Sequence, residues 1–366
     1  MTKITCDKIR GMFLGIAIGD ALFMPAETLS IEERNKKYGR ITTYLKPVNH
    51  KWFKNRKTGM WTDDTQLTLV VAESLISCRK IDVDDMALRH IASWKNEGDF
   101  GFGGSTRDAI KKLGNGIHWS ESGVTTKPGK GEGNGLPMKI APVGAYNVSP
   151  LYYQQLYELA LRDKIENTSE DTCDATGLST LRHQHWNPVI NLTNMTHNTP
   201  MARDSAIAHI LAIGYCIATE PKNFSTDHFF SYIRTTMEDY NHTAKYLNDL
   251  LEKLLMLRHL PLDKMDVNDF IKIFNGGGCH VTDSLPFSYA FFLQNPVGIK
   301  AMLDVGNAGG DTDTNASIVG GMLGALNGAS IFPQHLIDGL WQKERVLATA
   351  EKFYETFFTD KEEQCK

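Results

Sequence analysis

The chain has 366 residues, 42% of them hydrophobic and 22% charged, with a formal net charge of −4. That balance suits a globular protein with a sizeable core in one large domain or two, and it offers no global basic field for nucleic acid or anionic lipid. The six cysteines (Cys6, Cys78, Cys173, Cys216, Cys279 and Cys365) are scattered without a C-x-x-C pair, which argues against a disulfide framework or a zinc-thiolate site and for a reducing, cytoplasmic compartment.

The first apolar stretch, "GMFLGIAIGDALFM" from Gly11 to Met24, is interrupted by Asp20. It is shorter than a bilayer span and lacks a cleavage pattern, so a buried helix is expected and no membrane association. Gly15, Gly19 and Ala21 let its backbone come close to something. Asp20 and Glu27, the latter just past Pro25, admit two readings. They reach into a common pocket, or Asp20 bonds a neighbouring helix end while Glu27 is solvated.

"TDDTQLTLVVAESLISC", Thr62 to Cys78, places Leu67, Val70, Val71 and Leu75 at helical spacing. Thr62, Asp63 and Asp64 stand at its start. Two stretches then interrupt the helical pattern. Lys111 to Tyr146 is glycine-rich and reads as a ligand-embracing loop; Arg162 to Ile190 is polar and reads as a surface insertion, extending to about residue 195. His183 and His185 lie in that insertion with no partner set for a metal. Helices are expected again over Met201 to Ala218, Tyr240 to Leu257, Ala316 to Ser330 and Gly339 to Phe358. Gly320, Gly321 and Gly324 cost the third of these about 0.5–1 kcal/mol each relative to alanine, which makes sense where neighbouring helices press close. No β-alternation or strand–helix–strand repeat is present. The expected fold is all-α, a compact single-domain orthogonal bundle of a dozen or more helices over residues 1–366.

"GGDTDTNAS", Gly309 to Ser317, opens the glycine-bearing helix with Asp311 and Asp313, each followed by a threonine. A calcium loop of the EF-hand kind needs Gly and Glu where Ala316 and Met322 stand. Capping alone needs one carboxylate, not two. The Thr62–Asp64 cluster repeats the design: Thr and Asp at a helix start, small neighbours, apolar helix behind. Adjacent buried carboxylates are costly unless a cation joins them. Oxygen donors without His or Cys select hard ions, Mg²⁺, Mn²⁺ or Ca²⁺. Their number suits two ions roughly 3.5–4 Å apart, as in two-metal hydrolytic sites.

Taken in order, "GIAIGDA" leading to Glu27, "WTDDT" at Trp61 to Thr65, "GNGLPMKIAPVG" from Gly133, "MTHNTPMA" at Met195 to Ala202 and "GGDTDT" at Gly309 to Thr314 resemble the ADP-ribosylglycohydrolases, the superfamily of the dinitrogenase-reductase-activating glycohydrolase. The match extends from about residue 10 to residue 325; each motif alone is weak, and the ordered set is specific. The resemblance implies an all-α fold with a binuclear Mg²⁺ or Mn²⁺ centre. It implies Thr62, Asp63, Asp64, Asp311, Asp313 and Thr314 as ligands, with Asp313 bridging. Glu27, Asp63 and Asp313 would be the catalytic residues, Glu27 handling protons from a mobile loop. The ions would hold the ribose diol while water attacks the anomeric carbon.

Beside such a centre, Gly101, Gly103, Gly133, Asn134, Gly135, Met138, Gly309 and Gly310 are the expected substrate-binding positions, with backbone N–H groups for a pyrophosphate. Tyr146 stacks on adenine or is an ordinary half-buried tyrosine. His197 bonds the nucleotide or is a satisfied core histidine. Three departures from the family pattern stand out. Phe23 replaces a glycine and could narrow the site; Lys139 replaces an arginine, whose bidentate contacts a lysine does not reproduce; and Glu132 supplies an acid before the Asn-Gly pair in an uncertain register, which leaves the linkage preference open. The implied activity is removal of ADP-ribose from an arginine- or serine-linked protein or a small conjugate. A catalytically silent ADP-ribose binder and a hydrolase of free ADP-ribose esters or nucleoside adducts are the alternatives. No nucleic-acid partner is expected, and a monomer is.

Overall fold

The computed structural model describes residues 4–54, 56–127, 129–166, 186–240 and 249–359. Among them are eighteen α-helices: α1 (Cys6–Phe23), α2 (Ile31–Tyr38), α3 (Asp63–Cys78), α4 (Val83–Glu97), α5 (Gly104–Gly114), α6 (Trp119–Ser122), α7 (Ala141–Tyr146), α8 (Pro150–Glu166), α9 (Asn187–Thr196), α10 (Pro200–Ala218), α11 (Thr226–Tyr240), α12 (Asp249–Met256), α13 (Val267–Ile273), α14 (Val281–Gln294), α15 (Lys300–Gly306), α16 (Thr312–Asn327), α17 (Gln334–Gly339) and α18 (Lys343–Phe358). The fold is all-α. A lone antiparallel bridge, Gly133 with His280, is the β pairing among the described residues.

The helix pair α1 and α16 is the axis that positions the site. Gly11, Gly15 and Gly19 of α1 lie against Gly324, Gly320 and Ala316 of α16. A Cβ on Gly11 would come within 2.5 Å of the Gly324 carbonyl oxygen, and one on Gly15 within 2.5 Å of the Gly320 carbonyl carbon. The stripes repeat every four residues, the spacing that keeps one helix face, and they run in opposite directions. The backbones therefore touch, and Asp20 of α1 arrives at the same end as the first turn of α16. Large apolar side chains on the remaining faces, among them Phe13, Ile16, Leu22, Ile318, Val319 and Leu323, are fully or almost fully buried.

Several expectations need correction. The apolar N-terminal segment is longer than its pattern suggested: Cys6–Ala26 has the length and composition to cross a membrane, but 94% of its apolar window is buried. Burial, not shortness, makes it a core helix. The helix expected from Gly339 starts at Lys343, because Trp341 N–H donates to the Gly59 carbonyl at 3.0 Å and Gln342 turns left-handed with φ 53°. Of the helix expected over Tyr240 to Leu257, α11 ends at Tyr240 and α12 begins at Asp249; residues 241–248 lie outside the described residues. The glycine-rich stretch 111–146 contains the short helices α6 and α7. The polar insertion is flanked by α8 and α9, and its middle, with His183 and His185, lies outside the described residues.

Candidate active site

The N-terminus of α3 is capped from another helix. Asp20, fully buried, accepts the backbone N–H of Thr62 (2.8 Å) and of Thr65 (3.0 Å) and the Thr65 hydroxyl (2.6 Å). These are the orphan donors a helix start must satisfy. With Asp20 as the cap, the side chains of Thr62, Asp63 and Asp64 are free for another use. Thr62 makes no side-chain cap bond; its Oγ1 donates to Asp64 Oδ2 at 3.2 Å. Asp20 thus bonds a neighbouring helix end, as one sequence reading had it. Its carboxylate also lies within 4.8 Å of ligand atoms from Asp64 and Asp313, so both readings hold for it.

The start of α16 meets α3 at that point. Asp311 is the N-cap but makes no side-chain cap bond; it accepts Asn134 Nδ2 at 2.9 Å. Thr314 Oγ1 donates to Asp64 Oδ2 at 3.3 Å, across 250 residues of sequence. The turn that presents Asp311 is left-handed at Gly309 (φ 86°) and Gly310 (φ 78°), where a side chain would be strained. A Cβ on Gly310 would also press on the Gly277 carbonyl, and Asp311 N–H donates to that same oxygen at 3.0 Å. Glu27 follows a 3₁₀ turn and is fastened by Thr28 N–H donating to the Gly310 carbonyl at 3.2 Å. Its carboxylate, Asp311 and Asp313 share a second grouping within 4.8 Å.

The sequence-expected residues therefore sort cleanly. Thr62, Asp64, Asp311, Asp313, Thr314 and Glu27 converge, with Asn134 reaching in from the glycine-rich loop. Asp63 is in neither acidic grouping; its Oδ1 faces Gly101, where a Cβ would lie 2.9 Å away. Gly103 caps α5. Gly133 bridges His280, and Gly135 lies over the His197 ring, where a Cβ would be 2.8 Å from Cε1. Met138 is 5% exposed and packs with Leu67, Phe102 and Ile110 beneath the loop. His197 is buried, its Nδ1 2.9 Å from Thr196 Oγ1; burial and the nearby Lys139 push it down to about 3, so it is a neutral core histidine.

Burial decides two readings that the sequence left open. Tyr146 is 3% exposed, edge-on to Tyr152 and Phe357, with its hydroxyl donating to Gln155. Those partners come from α8 and α18, which carry none of the acidic residues, so its ring is not available to adenine. Phe23 does not narrow the site: it is fully buried against Gly306. Lys139 is also fully buried, donating to Thr196 Oγ1 at 3.2 Å; burial pushes its ammonium down to about 7, and Asp63 opposes the shift. Glu132 lies on the rim, 3.3 Å from His280 Nε2.

Electrostatically the site is a concentration of negative charge in a low dielectric. Burial, then neighbouring carboxylates, raise Asp63 to about 7 and Glu27 to about 9; Asp64 and Asp313 are raised well above the carboxylate range for the same causes. Burial raises Asp20 to about 6 against its hydrogen bonds from Thr65 and Thr62. Asp64 Oδ1 is buried with no hydrogen-bond partner. A buried orphan carboxylate oxygen costs free energy unless something positive occupies its lone pairs. All the donors here are hard oxygens, which fit a hard divalent cation.

Sequence reasoning missed the support around the site. Asn134 Nδ2 also donates to Ser284 Oγ (3.0 Å), Ser284 donates to Asn315 Oδ1 (2.7 Å), and Asn315 Nδ2 donates to the Gly277 carbonyl (2.7 Å). The glycine run 276–278 was the available signal. Cys279 is exposed beside this loop, its carbonyl accepting Asn134 N–H at 3.0 Å.

The family model described as ADP-ribosylglycohydrolase matches residues 1–363. The chain belongs to the ADP-ribosylglycohydrolase family. It is a glycohydrolase, and the family's chemistry is hydrolysis of ADP-ribose linkages. The chain is 26% identical over 349 residues to an uncharacterized protein of Archaeoglobus fulgidus, covering 95% of this chain and 96% of that one. It is 24% identical to the ADP-ribosylarginine hydrolase Tri1 of Serratia proteamaculans (95% and 79% covered) and 24% identical to the ADP-ribosylhydrolase ARH3 of Gallus gallus (76% and 73%). Among solved structures, an ADP-ribosylglycohydrolase-related protein complex matches with a TM-score of 0.62 at 20% identity, covering 96% of this chain and 98% of that one; the likeness is one of fold.

Proposed function

We propose that this glycohydrolase cleaves the glycosidic bond between ADP-ribose and an arginine- or serine-type acceptor, using a pair of Mg²⁺ or Mn²⁺ ions. The observation that supports it best is the meeting of Thr62 and Asp64 with Asp311, Asp313 and Thr314 around an orphaned carboxylate oxygen. Asp64, Asp313 and Asp311 would hold the ions, Thr62 and Thr314 would add hydroxyl oxygens, and Asp63, from beside Gly101, would complete the shell. Bound there, the ions supply an anchor for a ribose diol and a field that orients water.

The remaining steps belong to the chain. Asp20 fixes the start of α3, so the carboxylates are held before substrate arrives. Glu27 sits on a short loop tied to the same turn as Asp311, where it can hold or pass a proton at the acceptor atom or the attacking water. Backbone N–H groups near Gly103, Gly133 and Gly135 would serve a pyrophosphate; those of Gly101 and Phe102 are donated to Asp99 Oδ1 at 3.0 and 2.8 Å. The Tri1 relative is named for arginine-linked ADP-ribose, and Glu132 places a carboxylate at the rim that suits a guanidinium.

The test is release of ADP-ribose from arginine- and serine-linked substrates with Mg²⁺, with Mn²⁺ and with EDTA. Release that depends on a divalent ion is expected. Release that persists in EDTA removes the metal role, and no release on any substrate favours a silent ADP-ribose binder.

A further inference from the structure

The charge of this chain is unevenly spread. Nine basic residues fall between Arg34 and Lys57, and no Asp or Glu stands from Arg34 to Thr62, in a chain whose formal net charge is −4. Arg34 is buried and donates to the Asn307 carbonyl, and Arg40 is paired with Asp304. Lys36, Lys37, Lys46, Lys51, Lys54 and Lys57 are exposed, and they form no ion pair among the described residues. Local bonds bring two runs of this strip side by side. The Val48 N–H donates to Tyr38 Oη at 2.9 Å, and Lys37 Nζ stands 5.1 Å from the centre of the Tyr38 ring. His50 is buried; its Nδ1 accepts the N–H groups of Trp52 (3.3 Å) and Phe53 (3.2 Å), and its ring stacks on Phe53. That turn sends Phe53 inward and Trp52 outward. Trp52 is 52% exposed, with Lys51 Nζ 4.9 Å from the centre of its ring, and Val48 is 49% exposed.

The strip reaches the edge of the acidic site without joining it. A Cβ on Gly101 would stand 3.0 Å from Phe53 Cζ and 2.9 Å from Asp63 Oδ1, so the buried ring of this loop backs onto the same glycine as that carboxylate. Arg56 Cζ lies 4.0 Å from the centre of the Phe100 ring; burial lowers its guanidinium, and the charges of Asp20, Asp99 and Asp63 oppose that shift. A concentration of carboxylates repels an acidic polypeptide. Ammonium groups beside it offset that repulsion and steer such a chain in. Trp52 and Val48 add apolar contact, and tryptophan is among the residues that anchor protein interfaces. Nucleic acid fits less well, because base stacking needs an open aromatic face; Lys51 stands over Trp52 and Lys37 over Tyr38. We propose that the exposed lysines of 36–57, around Trp52, form a docking surface for an acidic segment of the ADP-ribosylated polypeptide. That the polypeptide is the modified substrate rests on the hydrolase reading; the preference for an acidic chain does not.

The experiment is an anisotropy titration of the full chain with a labelled Glu-Ser repeat peptide and with its Gln-Ser counterpart. The probe variant is Lys51→Glu/Lys54→Glu, two exposed positions, and its Tm should match wild type. Wild-type protein is expected to bind the Glu-Ser peptide at least about tenfold more tightly than the Gln-Ser peptide, with an affinity that falls at high salt, and the variant to bind the Glu-Ser peptide about tenfold more weakly. On arginine- and serine-linked ADP-ribosyl peptides with Glu flanks, the variant should raise KM about tenfold and keep kcat; with Gln flanks it should match wild type. Equal binding of the two peptides by wild-type protein, or equal binding of the Glu-Ser peptide by the variant, overturns the proposal. Binding of a single-stranded RNA oligomer, or of vesicles rich in phosphatidylserine, that is tighter than that of the Glu-Ser peptide and lost in the variant overturns the polypeptide assignment. Peptide binding that follows the lysines while no substrate is hydrolysed supports the surface and overturns the hydrolase reading instead.

Discussion

Replacing Gly320 by alanine tests whether the α1–α16 contact sets the geometry of the site. The new Cβ would overlap the Gly15 carbonyl oxygen and lie 2.7 Å from its carbon and 3.0 Å from Met302 Sδ, whereas ordinary contact begins near 3.4 Å. The thioether can turn away, but the carbonyl belongs to a buried helix and cannot. The helices must therefore part by roughly 0.7 Å or more at that level. Overpacking of this kind costs about 1–3 kcal/mol, offset by about 0.5–1 kcal/mol for alanine over glycine in a helix. A net loss of ~1–2 kcal/mol is expected, which lowers Tm by only ~1–3 °C in a chain of this size. Function should suffer more. Asp20 lies five residues beyond Gly15 and Asp313 seven before Gly320, so their separation follows the helices. A misplacement of about 1 Å can cost on the order of 10²-fold in turnover. Calorimetric Tm, Mn²⁺ affinity and turnover should be measured together. Gly114→Ala, where nothing lies within 4 Å of the added atom, is the control. A small Tm loss with turnover kept within about twofold would refute the claim that this contact positions the carboxylates.

Asp313→Ala should lose metal affinity and turnover together, since Asp313 belongs to both acidic groupings; turnover near wild type would remove it from the centre. Glu27→Gln keeps shape and hydrogen bonding but cannot move a proton, so kcat should fall on the order of 10²–10⁴-fold while ADP-ribose binding, read by calorimetry, stays close to wild type. Asp20→Asn leaves one accepting oxygen for three donors and turns an amide toward the others. Metal affinity should drop about 10–100-fold, as for loss of an outer partner, and an unchanged affinity would make Asp20 a helix cap and nothing more. The ion-free protein should lose stability as pH rises. Asp20, Asp63 and Glu27 are raised to about 6, 7 and 9, so the folded state binds protons that the unfolded chain has released. That stability is whole below the unfolded carboxylate value of about 4 and lost as pH passes through the raised values. Thermal melts in EDTA should fall from pH 5 to 8 and flatten with Mg²⁺; a rise with pH in EDTA would contradict the clustering.

What the sequence displayed were features carried by single helices. The starts of α3 and α16 were readable because Thr and Asp precede apolar runs, and the glycines of α1 and α16 because a four-residue repeat of minimal side chains has few uses other than close approach. Which helix each stripe faces is a property of pairs, and no local pattern encodes it. Asp20 shows the consequence. Within "GIAIGDA" it is one acid in an apolar run, compatible with a cap or a ligand, and it became both only when α1 brought it under Thr62 and beside Asp313. Tyr146 shows the same in reverse: the resemblance left it between an adenine-stacking ring and an ordinary tyrosine, and α8, which follows it directly, encloses it together with α18 from far along the chain. The start of α18 was misplaced because Trp341 gives its N–H to Gly59 and its carbonyl accepts from Trp61 Nε1 at 3.0 Å, tertiary bonds that override local helix preference. Where a residue acts through its own helix, pattern suffices; where it acts through a meeting of helices, only the packing says what it does.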